Sequence, residues 1–295
     1  MALSPNLTGA ALGLLAFGTY ACYDISAKLL GATYHPLQII FAAGALNLPL
    51  LGLYIHYTGN TRRLWPTRPG LMALRCAGTV VNFIAGVSAF TMLPLAEAYV
   101  IFFTMPLFIA LLAVPVLGER FDPVRGVAVL LGLVGVIVAL DPVATPLGIG
   151  HALALTGALV GAMNYVLIRK TGAVESTAVM LLWPQIVLFA IVAAAMPWVY
   201  RPMPAADLGV AALMAVVLMI GMVAVVEAYR RAAAIIVAPM QYSQILWAAI
   251  FGSLLFNEAI DTRTLIGSLL IALAGIIVVA RQDKAAGVTP PTTPT

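Results

Sequence analysis

The chain has 295 residues, of which 63% are hydrophobic and 9% are charged, and its mean hydropathy is +1.06. Soluble domains carry about 25% charged residues, so this composition excludes a soluble enzyme or a soluble binding module. We assign the small net charge of +4 to lysines and arginines in loops between membrane helices, not to a nucleic-acid surface. A membrane helix needs about 20 apolar residues, so about ten helices with short loops account for nearly the whole chain.

Apolar runs separated by prolines and charges predict ten membrane helices in one all-α transmembrane domain, residues 1–295. In chain order, the predicted helices span residues 7–29, 36–57, 70–93, 95–117, 124–141, 148–169, 177–197, 208–231, 234–256 and 263–281. The polar Pro/Thr tail at 285–295 is predicted to be disordered.

The chain contains one unit twice, with repeat 1 at about 7–141 and repeat 2 at about 148–281. A shift of 139 residues aligns three pairs in the two copies: Thr104 with Ser243, Phe108 with Trp247, and Glu119 with Glu258. An internal duplication in a membrane protein is typical of transporters whose binding site lies between the repeats.

The loops between the predicted helices carry very unequal numbers of basic residues on the two sides of the membrane. Three basic residues lie on one side: Lys28, Arg201 and Arg263. Twelve lie on the side of the termini: Arg62, Arg63, Arg68, Arg75, Arg120, Arg125, Arg169, Lys170, Arg230, Arg231, Arg281 and Lys284. This bias predicts that the N- and C-termini are cytoplasmic. Because each repeat has five helices, the second copy enters from the opposite side and the repeats are inverted.

The first predicted helix carries Tyr20, Asp24 and Lys28 four residues apart, which places them on one face. One interpretation places Tyr20 and Asp24 in a cavity, where Asp24 meets a substrate ammonium group or titrates during transport. The alternative, which the sequence slightly favours for Asp24, is an Asp24–Lys28 ion pair at the helix end. We therefore include Tyr20 in the candidate site and keep Asp24 as a possible coupling residue.

Two further predicted helices carry isolated polar groups. Asn82 lies near mid-depth in the third helix, where its amide bonds either a neighbouring helix or a ligand. Glu227 in the eighth helix is the second possible coupling residue, although an ion pair with Arg75 or Arg231 is the simpler interpretation. Arg75 lies near a helix end, and its side chain is expected to extend towards the membrane surface.

Aromatic residues and a glycine pair mark two more helices. Tyr99 and Phe103 lie four residues apart in the predicted helix 95–117, and Pro106 is expected to kink that helix. Such an aromatic stripe serves packing as often as ligand binding. Asn164 follows Gly157 in a helix whose glycines allow close helix contact, so it is expected at or near a buried interface or in a cavity.

The segment 238–258 carries Gln241, Tyr242, Gln244 and Trp247 at one end of an otherwise apolar helix. Amide groups are costly to bury without partners, so a helix that faces only lipid has no use for two glutamines. We therefore expect this helix to face protein or a watery cavity.

Enzyme and metal-site signatures do not occur in the sequence. His35, His56 and His151 lack the spacing and the carboxylate partners of metal ligands. There is no HEXXH or GXSXG motif, no phosphate-binding loop and no dinucleotide fingerprint. We therefore predict no enzymatic activity, no cofactor and no metal.

Two stretches share a pattern of a Glu-containing helix end and trailing glycines: AYVIFFTMPLFIALLAVPVLGER and APMQYSQILWAAIFGSLLFNEAIDTRTLIGSLLIALAGIIVV. They resemble the two repeat signatures of the EamA family, within the drug/metabolite transporter superfamily, and the resemblance covers about residues 7–281. The second copy departs from the first because Ile245 stands where the first copy has Pro106. Whether both helices kink alike is therefore open.

The resemblance implies a central cavity lined by the first, third, fourth, sixth, eighth and ninth helices, and export or exchange of small metabolites across a bacterial inner membrane. Within the family, the aromatic residues and amides are most similar to those of bacterial amino-acid exporters, including exporters of aromatic amino acids. The implied mechanism is alternating access, with or without proton coupling.

Together these observations predict an inner-membrane transporter of amino acids or similar small molecules, a monomer or homodimer in lipid with no nucleic-acid partner. The predicted substrate-binding residues are Tyr20, Asn82, Tyr99, Phe103, Asn164, Gln241, Tyr242, Gln244 and Trp247. Two alternatives stay open. Efflux of drugs or lipophilic cations requires an essential membrane carboxylate, and a non-transporting membrane scaffold has no need of an inverted duplication or polar inner faces.

Overall fold

A computed structural model of the protein describes residues 5–58, 64–118, 123–140, 146–171, 174–231, 238–258 and 261–285. Within these ranges the chain forms eleven α-helices and one 3₁₀ helix and no strand. They are α1 (Pro5–Gly31), α2 (Pro36–Tyr57), α3 (Pro69–Met92), α4 (Leu95–Phe102), α5 (Met105–Leu117), α6 (Pro123–Leu140), α7 (Ile149–Thr171), α8 (Thr177–Val199), α9 (Ala205–Arg231), the 3₁₀ helix (Ala238–Ser243), α10 (Gln244–Phe256) and α11 (Thr262–Ala285).

These elements form ten membrane segments, because α4 with α5 and the 3₁₀ helix with α10 each make one segment. Seven stretches of the described chain are long and apolar enough to cross a membrane. The predicted all-α fold with ten transmembrane helices is confirmed, and the observed ends differ from the predicted ones by a few residues. The tail at 286–295 lies outside the described residues.

Prolines and caps explain several helix starts. Pro36 and Pro69 stand at the first turns of α2 and α3, where a missing backbone N–H costs nothing. His35 caps α2 by accepting a hydrogen bond from the Leu37 N–H at 3.3 Å. Ser176 caps α8 in the same way, accepting from the Val179 N–H at 3.2 Å. These local signals fix where the helices begin, so the membrane segments follow directly from the sequence.

The break between α4 and α5 lies at Thr104, two residues before Pro106. Pro106 has no N–H to donate to the preceding turn, and the Thr104 hydroxyl donates to Ile101 O at 2.6 Å. The kink that the sequence predicts in this helix is confirmed. The second copy departs from the predicted continuous helix 234–256, since its described part begins with 3₁₀ geometry and turns α-helical after Ser243.

The two halves of the chain interlock across the whole bundle. α1 packs along α9, α3 along α7, α2 along α8, and α6 along α11, so each main contact joins one helix from each half. The first and third helices of one half thus meet the third and first helices of the other. This reciprocal pairing is the arrangement expected for two inverted five-helix repeats around a central space.

α6 and α11, one from each half, approach each other closely at two glycines. A Cβ added to Gly135 would come within 2.8 Å of Gly267 O, and one added to Gly267 would meet Gly135 O in return. Gly132 provides space for the Leu107 side chain. The outer faces of the two helices are apolar and open, with Leu130 63% exposed. These glycines let the two helices pack closely.

Candidate functional site

A cavity of about 290 Å³ lies between the two halves. Its walls come from α1, α3, α4, α7, α9, the 3₁₀ helix and α10, with Met105 at the start of α5. These are the helices that the family resemblance implied. α8 also contributes a wall, through residues that include Met180, Pro184 and Gln185, and the resemblance did not include that helix.

Seven of the eleven residues singled out in the sequence line this cavity, and four do not. The lining residues are Tyr20, Asp24, Asn82, Tyr99, Asn164, Gln241 and Gln244. Phe103, Tyr242, Trp247 and Glu227 lie elsewhere. The structure therefore brings together residues from five α-helices and the 3₁₀ helix, which the sequence could only group by repeat.

Asp24 is held at the cavity wall by a tyrosine from the neighbouring helix. The Tyr99 hydroxyl donates to Asp24 Oδ2 at 2.9 Å. The Tyr99 ring is 1% exposed and packs edge-on against Phe90, with ring centroids 5.1 Å apart. Gln244 lies close to the same hydroxyl group. Because the packed ring cannot move freely, the carboxylate has a fixed position at the boundary between a polar and an aromatic wall.

The expected Asp24–Lys28 ion pair does not form. Lys28 Nζ instead lies 2.7 Å from Glu258 Oε1 and donates to Leu93 O at 2.6 Å. Glu258 Oε2 accepts from the Leu95 N–H at 3.0 Å. We call this set of four residues the Lys28 clasp. It neutralises Lys28 outside the cavity, so Asp24 keeps its carboxylate for other partners.

The clasp also shows what one of the two duplicated glutamates does. A carboxylate is favoured at a helix N-terminus. Glu258 does bond a helix N-terminus, but that helix is α4 of the other half, and not α11. The reason is the interlocked packing, which brings the end of α10 against the start of α4. Glu119 lies outside the described residues.

One face of α3 forms a polar stripe along the cavity, with Arg75, Thr79, Asn82 and Gly86 at helical spacing. Asn82 Nδ2 donates to Gly157 O on α7 at 2.8 Å, so this amide both joins two helices and lines the cavity. The sequence left these two roles as alternatives.

Asn164 fits against Gly78 of α3, the residue before Thr79 of that stripe. A Cβ added to Gly78 would come within 2.6 Å of the Asn164 side-chain amide. In the orientation that satisfies its neighbours, the Asn164 amide donates to Arg75 O at 3.2 Å and accepts from the Thr79 N–H at 3.0 Å. Asn164 therefore lies at a helix interface and lines the cavity.

Arg75 is the functional candidate that the sequence interpretation missed. The residue is 8% exposed and lines the cavity, and its Nη1 donates to Met180 O on α8. Its buried Nε has no hydrogen-bond partner in the part of the chain that the structure describes. Depth in the predicted helix indicated an arginine that extends to the membrane surface. The spacing with Asn82, which is seven residues further along, is the signal that could have placed it in the cavity.

Gln185 is the second missed residue. α8 continues through Pro184 without a break, and Gln185 Nε2 approaches the Met222 sulfur at 3.5 Å. Both side chains line the cavity. This contact joins α8 to α9.

The misplaced aromatic residues pack behind the cavity wall. Phe103 and Tyr242 meet edge to face with ring centroids 5.3 Å apart, and the Tyr242 hydroxyl lies 3.5 Å from Ile271 O. Trp247 stacks on Phe251 at 5.9 Å and lies against Gly18 of α1. In a 3₁₀ helix residues three apart eclipse, so Gln241 and Gln244 share one direction while Tyr242 is turned away.

Glu227 lies on α9 and does not line the cavity. Among the described residues, no group of three or more His, Cys, Asp or Glu side chains is close enough to hold a metal ion. The only charged side chains that the described chain contributes to the cavity are Asp24 and Arg75. The site is therefore a mixed polar and aromatic cavity with one acidic and one basic group.

Comparison with known proteins gives a family, several relatives and a similar solved structure. The model of the EamA-like transporter family matches twice, at residues 7–140 and 148–281. An S-adenosylmethionine uptake transporter of Rickettsia conorii is 27% identical, over 96% of each chain. The pseudopaline exporter CntI of Pseudomonas aeruginosa strain UCBPP-PA14 is 25% identical, over 96% of this chain and all of that one.

One crystal structure has the same fold, with a TM-score of 0.69 and 18% identity over 96% of this chain and 98% of that one. At this identity the likeness concerns the fold alone. The family match covers both halves of the chain and nearly all of its described residues. The protein is therefore a multi-pass membrane transporter that belongs to the EamA-like transporter family, of the drug/metabolite transporter type.

Proposed function

We propose that the protein moves an amino acid or an amino-acid-derived metabolite across a bacterial inner membrane, by export or exchange and through alternating access. The observation that carries this proposal is the cavity between the two halves, which presents Asp24 beside amide and aromatic side chains. An ammonium or other cationic group would bind Asp24. Gln241 and Gln244 would hydrogen-bond the polar head, and the aromatic walls would hold an apolar body or offer cation–π contact.

The names of the relatives support an amino-acid type of substrate. One relative is named for S-adenosylmethionine, which is a derivative of the amino acid methionine, and another is named for pseudopaline. One relative is named for uptake and another for export, so the direction of transport differs within this set of relatives. We therefore propose a class of substrate and no fixed direction of transport. The direction would follow the gradient that drives the transporter.

The Lys28 clasp would close one end of the cavity in this mechanism. In the orientation that the basic loops predict, with both termini cytoplasmic, this end faces the outside of the inner membrane. Opening it requires that Lys28 and Leu95 leave Glu258, while the opposite end closes. The two inverted repeats would exchange these states by rocking around the cavity. The mechanism requires no bound cofactor.

Asp24 is the proposed coupling residue if transport is linked to protons. Its carboxylate lies on the cavity wall, where substrate cation and proton would compete for it. Glu227 is the other candidate, and its position away from the cavity makes it a weaker one. Uniport remains the simplest form of the proposal, because it needs neither residue to titrate.

The test is uptake into liposomes that contain only the purified protein, measured by exchange of labelled against unlabelled substrate. The panel contains phenylalanine, methionine and S-adenosylmethionine. We expect saturable exchange of at least one of them, reduced about tenfold by Gln244→Met. The control variant is Leu246→Met, which changes a side chain on α10 that is 63% exposed to lipid. Saturable exchange that both variants leave unchanged would contradict the placement of the site.

A second candidate function is efflux of lipophilic cations, and the position of Asp24 next to aromatic walls favours it. Quaternary amines without a carboxylate would then be transported, and they would compete with one another in a manner that depends on Asp24. Absence of exchange for the whole panel and for these amines, with and without a proton gradient, would favour the scaffold alternative instead.

A further inference from the structure

We infer that Arg75 is an anion-binding subsite, and that the substrate is an elongated molecule with a carboxylate at Arg75 and a cationic group at Asp24. This inference rests on the proposed function, because it requires that the cavity binds the transported molecule. It adds a residue that the candidate site did not contain, and it narrows the chemical class of the substrate.

The first observation is that Arg75 carries unused hydrogen-bond donors inside the protein. The residue is 8% exposed, and its Nη1 donates to Met180 O. Its Nε is buried without a partner in the described part of the chain. A guanidinium has five N–H donors in a planar fork that matches a carboxylate. One backbone carbonyl takes up one donor and protein encloses the Nε–H, so the donors left for an anion in the cavity are the other N–H groups of the two terminal nitrogens.

The second observation concerns charge. The carboxylate that lines the cavity is Asp24, which accepts from Tyr99, and the described residues place no carboxylate in ion-pair distance of Arg75. Burial of a charge without a counter-charge is costly, so such a group is retained where a ligand supplies the missing charge. Arg75 lines the cavity, so an anion bound there would approach its side chain from the cavity.

The third observation is the distance between the two charges along the bundle. Gly31 of α1 lies directly against Thr91 of α3. Asp24 precedes Gly31 by seven residues, and Arg75 precedes Thr91 by sixteen. The two helices run in the same direction, so the two Cα positions differ in depth by about nine residues, or about 13 Å.

This separation excludes simultaneous contact by a free α-amino acid, whose ammonium and carboxylate groups are attached to the same carbon. A molecule that contacts both ends needs its charges on the order of 10 Å apart, which is the span of about three extended peptide units. Between the two charges lie aromatic and amide side chains, among them Phe83, Asn82 and Tyr165. The substrate class is therefore an elongated zwitterion with an apolar or planar body.

The experiment uses a set of probes that differ in length and in charge. Phenylalanine, phenylalanyl-glycine and phenylalanyl-glycyl-glycine form the length series. The C-terminal amide of the tripeptide lacks the carboxylate, and its N-acetyl form lacks the cation. Binding to the full-length protein in detergent is measured from the rise in melting temperature with probe concentration, which gives an affinity for each probe. Exchange of the labelled tripeptide in proteoliposomes confirms transport.

For the wild type we expect the tripeptide to bind at least tenfold more tightly than phenylalanine or its own C-terminal amide. Arg75→Gln should abolish the difference between the tripeptide and its amide while leaving the affinity for the amide within twofold. Arg75→Lys should keep part of the preference, because it retains the charge but loses the planar fork. Arg201→Gln is the control, since that arginine is exposed in the loop between α8 and α9 and lies outside the cavity.

Two outcomes would overturn the inference. The wild type could bind the acid and the amide equally, or Arg75→Gln could weaken both to the same extent, which would make Arg75 a structural link to α8. If Arg75→Gln does not fold, the comparison of acid and amide in the wild type and in Arg75→Lys decides. Failure of the proposed function has a different signature, because the wild type then shows no saturable binding of any probe, phenylalanine included.

Discussion

The two copies of one segment, α4 with α5 in repeat 1 and the 3₁₀ helix with α10 in repeat 2, occupy equivalent places but contribute different chemistry. A shift of 139 residues aligns Phe102 with Gln241 and Met105 with Gln244, and all four line the cavity. Equivalent positions of the two copies therefore still face the cavity. The residues at those positions have diverged, so the positions in repeat 1 are apolar and those in repeat 2 carry two amides.

The same comparison extends to the helix breaks. Thr104 and Ser243 are equivalent, and each lies at the junction of its segment. The Thr104 hydroxyl donates to Ile101 O at 2.6 Å, and the Ser243 hydroxyl donates to Met240 O at 2.7 Å, three residues back in both cases. Copy 2 has no proline at the position of Pro106. The hydroxyl bond is therefore common to both breaks and the proline is particular to copy 1. Thr19 makes the same bond inside the continuous helix α1, so the hydroxyl alone does not break a helix.

The first prediction has the largest expected effect and tests whether the negative charge in the cavity comes from copy 1 alone. A shift of 141 residues aligns Asp24 with Tyr165, and both line the cavity, but only Asp24 is a carboxylate. We expect Asp24→Asn to reduce transport of a cationic substrate about tenfold to 100-fold, because a hydrogen bond to a charged group contributes about 1.5–3 kcal/mol. The measurement is the initial rate of exchange between pH 6 and pH 8.

Tyr165→Phe is the matched change in copy 2 and should reduce the rate by less than Asp24→Asn. Equal losses for the two variants would contradict the assignment of the charge to one copy. If Asp24→Asn left both the rate and its pH dependence unchanged, Asp24 would be excluded as the coupling residue.

The second prediction concerns a variant in which both copies carry the same residue at one position of the cavity. Gln241→Phe places in copy 2 the residue that copy 1 carries at the equivalent position, Phe102. We expect exchange of a polar substrate to fall about tenfold, mainly through a higher KM, because a neutral hydrogen bond contributes about 1 kcal/mol and the larger ring also removes space. The reverse change, Phe102→Gln, should not restore transport in the double variant, since the amide would then come from α4 and lie at a different place in the cavity. Full recovery in that double variant would show that the two positions are interchangeable.

The third prediction separates the hydroxyl from the proline at the helix break. Thr104→Ala and Ser243→Ala should each lower the free energy of unfolding by about 1 kcal/mol, because each loses one intrahelical bond at a junction without a regular helical partner. Pro106→Ile copies the residue of repeat 2 and should cost less than Thr104→Ala. The measurement is denaturation of the purified protein in detergent. A larger loss for Pro106→Ile would assign the break to the proline.

The smallest expected effect compares two tyrosines. Tyr242→Phe removes a hydroxyl that lies 3.5 Å from its acceptor and outside the cavity, so transport should change by less than twofold. Tyr99→Phe removes the 2.9 Å bond to Asp24 and should change transport several-fold. Initial exchange rates of the two variants, normalised to the amount of inserted protein, make the comparison. Equal effects would contradict the placement of Tyr242 behind the wall.

The sequence predicted the fold nearly completely, because apolar length, prolines and the duplication act locally and are visible along the chain. It also predicted that Gln241 and Gln244 line the cavity, because amides in an apolar helix are costly to bury without hydrogen-bond partners. Trp247 and Tyr242 were placed in the site because the helix was assumed to be continuous. The change from 3₁₀ to α geometry at Ser243 alters the direction of each side chain, and an apolar pattern that is assumed to form one continuous helix does not predict that change.

The other errors come from contacts between distant parts of the chain. Arg75 was assigned from its depth in one helix, although the helix that accepts its hydrogen bond, α8, begins about a hundred residues later. Lys28 has a nearby acid in the sequence, four residues away, but the interlocked halves bring Glu258 closer. Single-helix patterns predict faces, and they do not predict which faces of other helices will meet them.

Glu258 uses its two oxygens on two different helices of the other half, Oε1 on Lys28 of α1 and Oε2 on the Leu95 N–H of α4. One side chain from repeat 2 thus binds two elements of repeat 1 at once. If either α1 or α4 moves away, the bond from Glu258 to the other helix is strained. We therefore expect α1 and α4 to separate from α10 in a single cooperative step. That end of the transporter then behaves as a switch with two positions, and single-molecule distance traces across it should jump between two levels without a long-lived intermediate value.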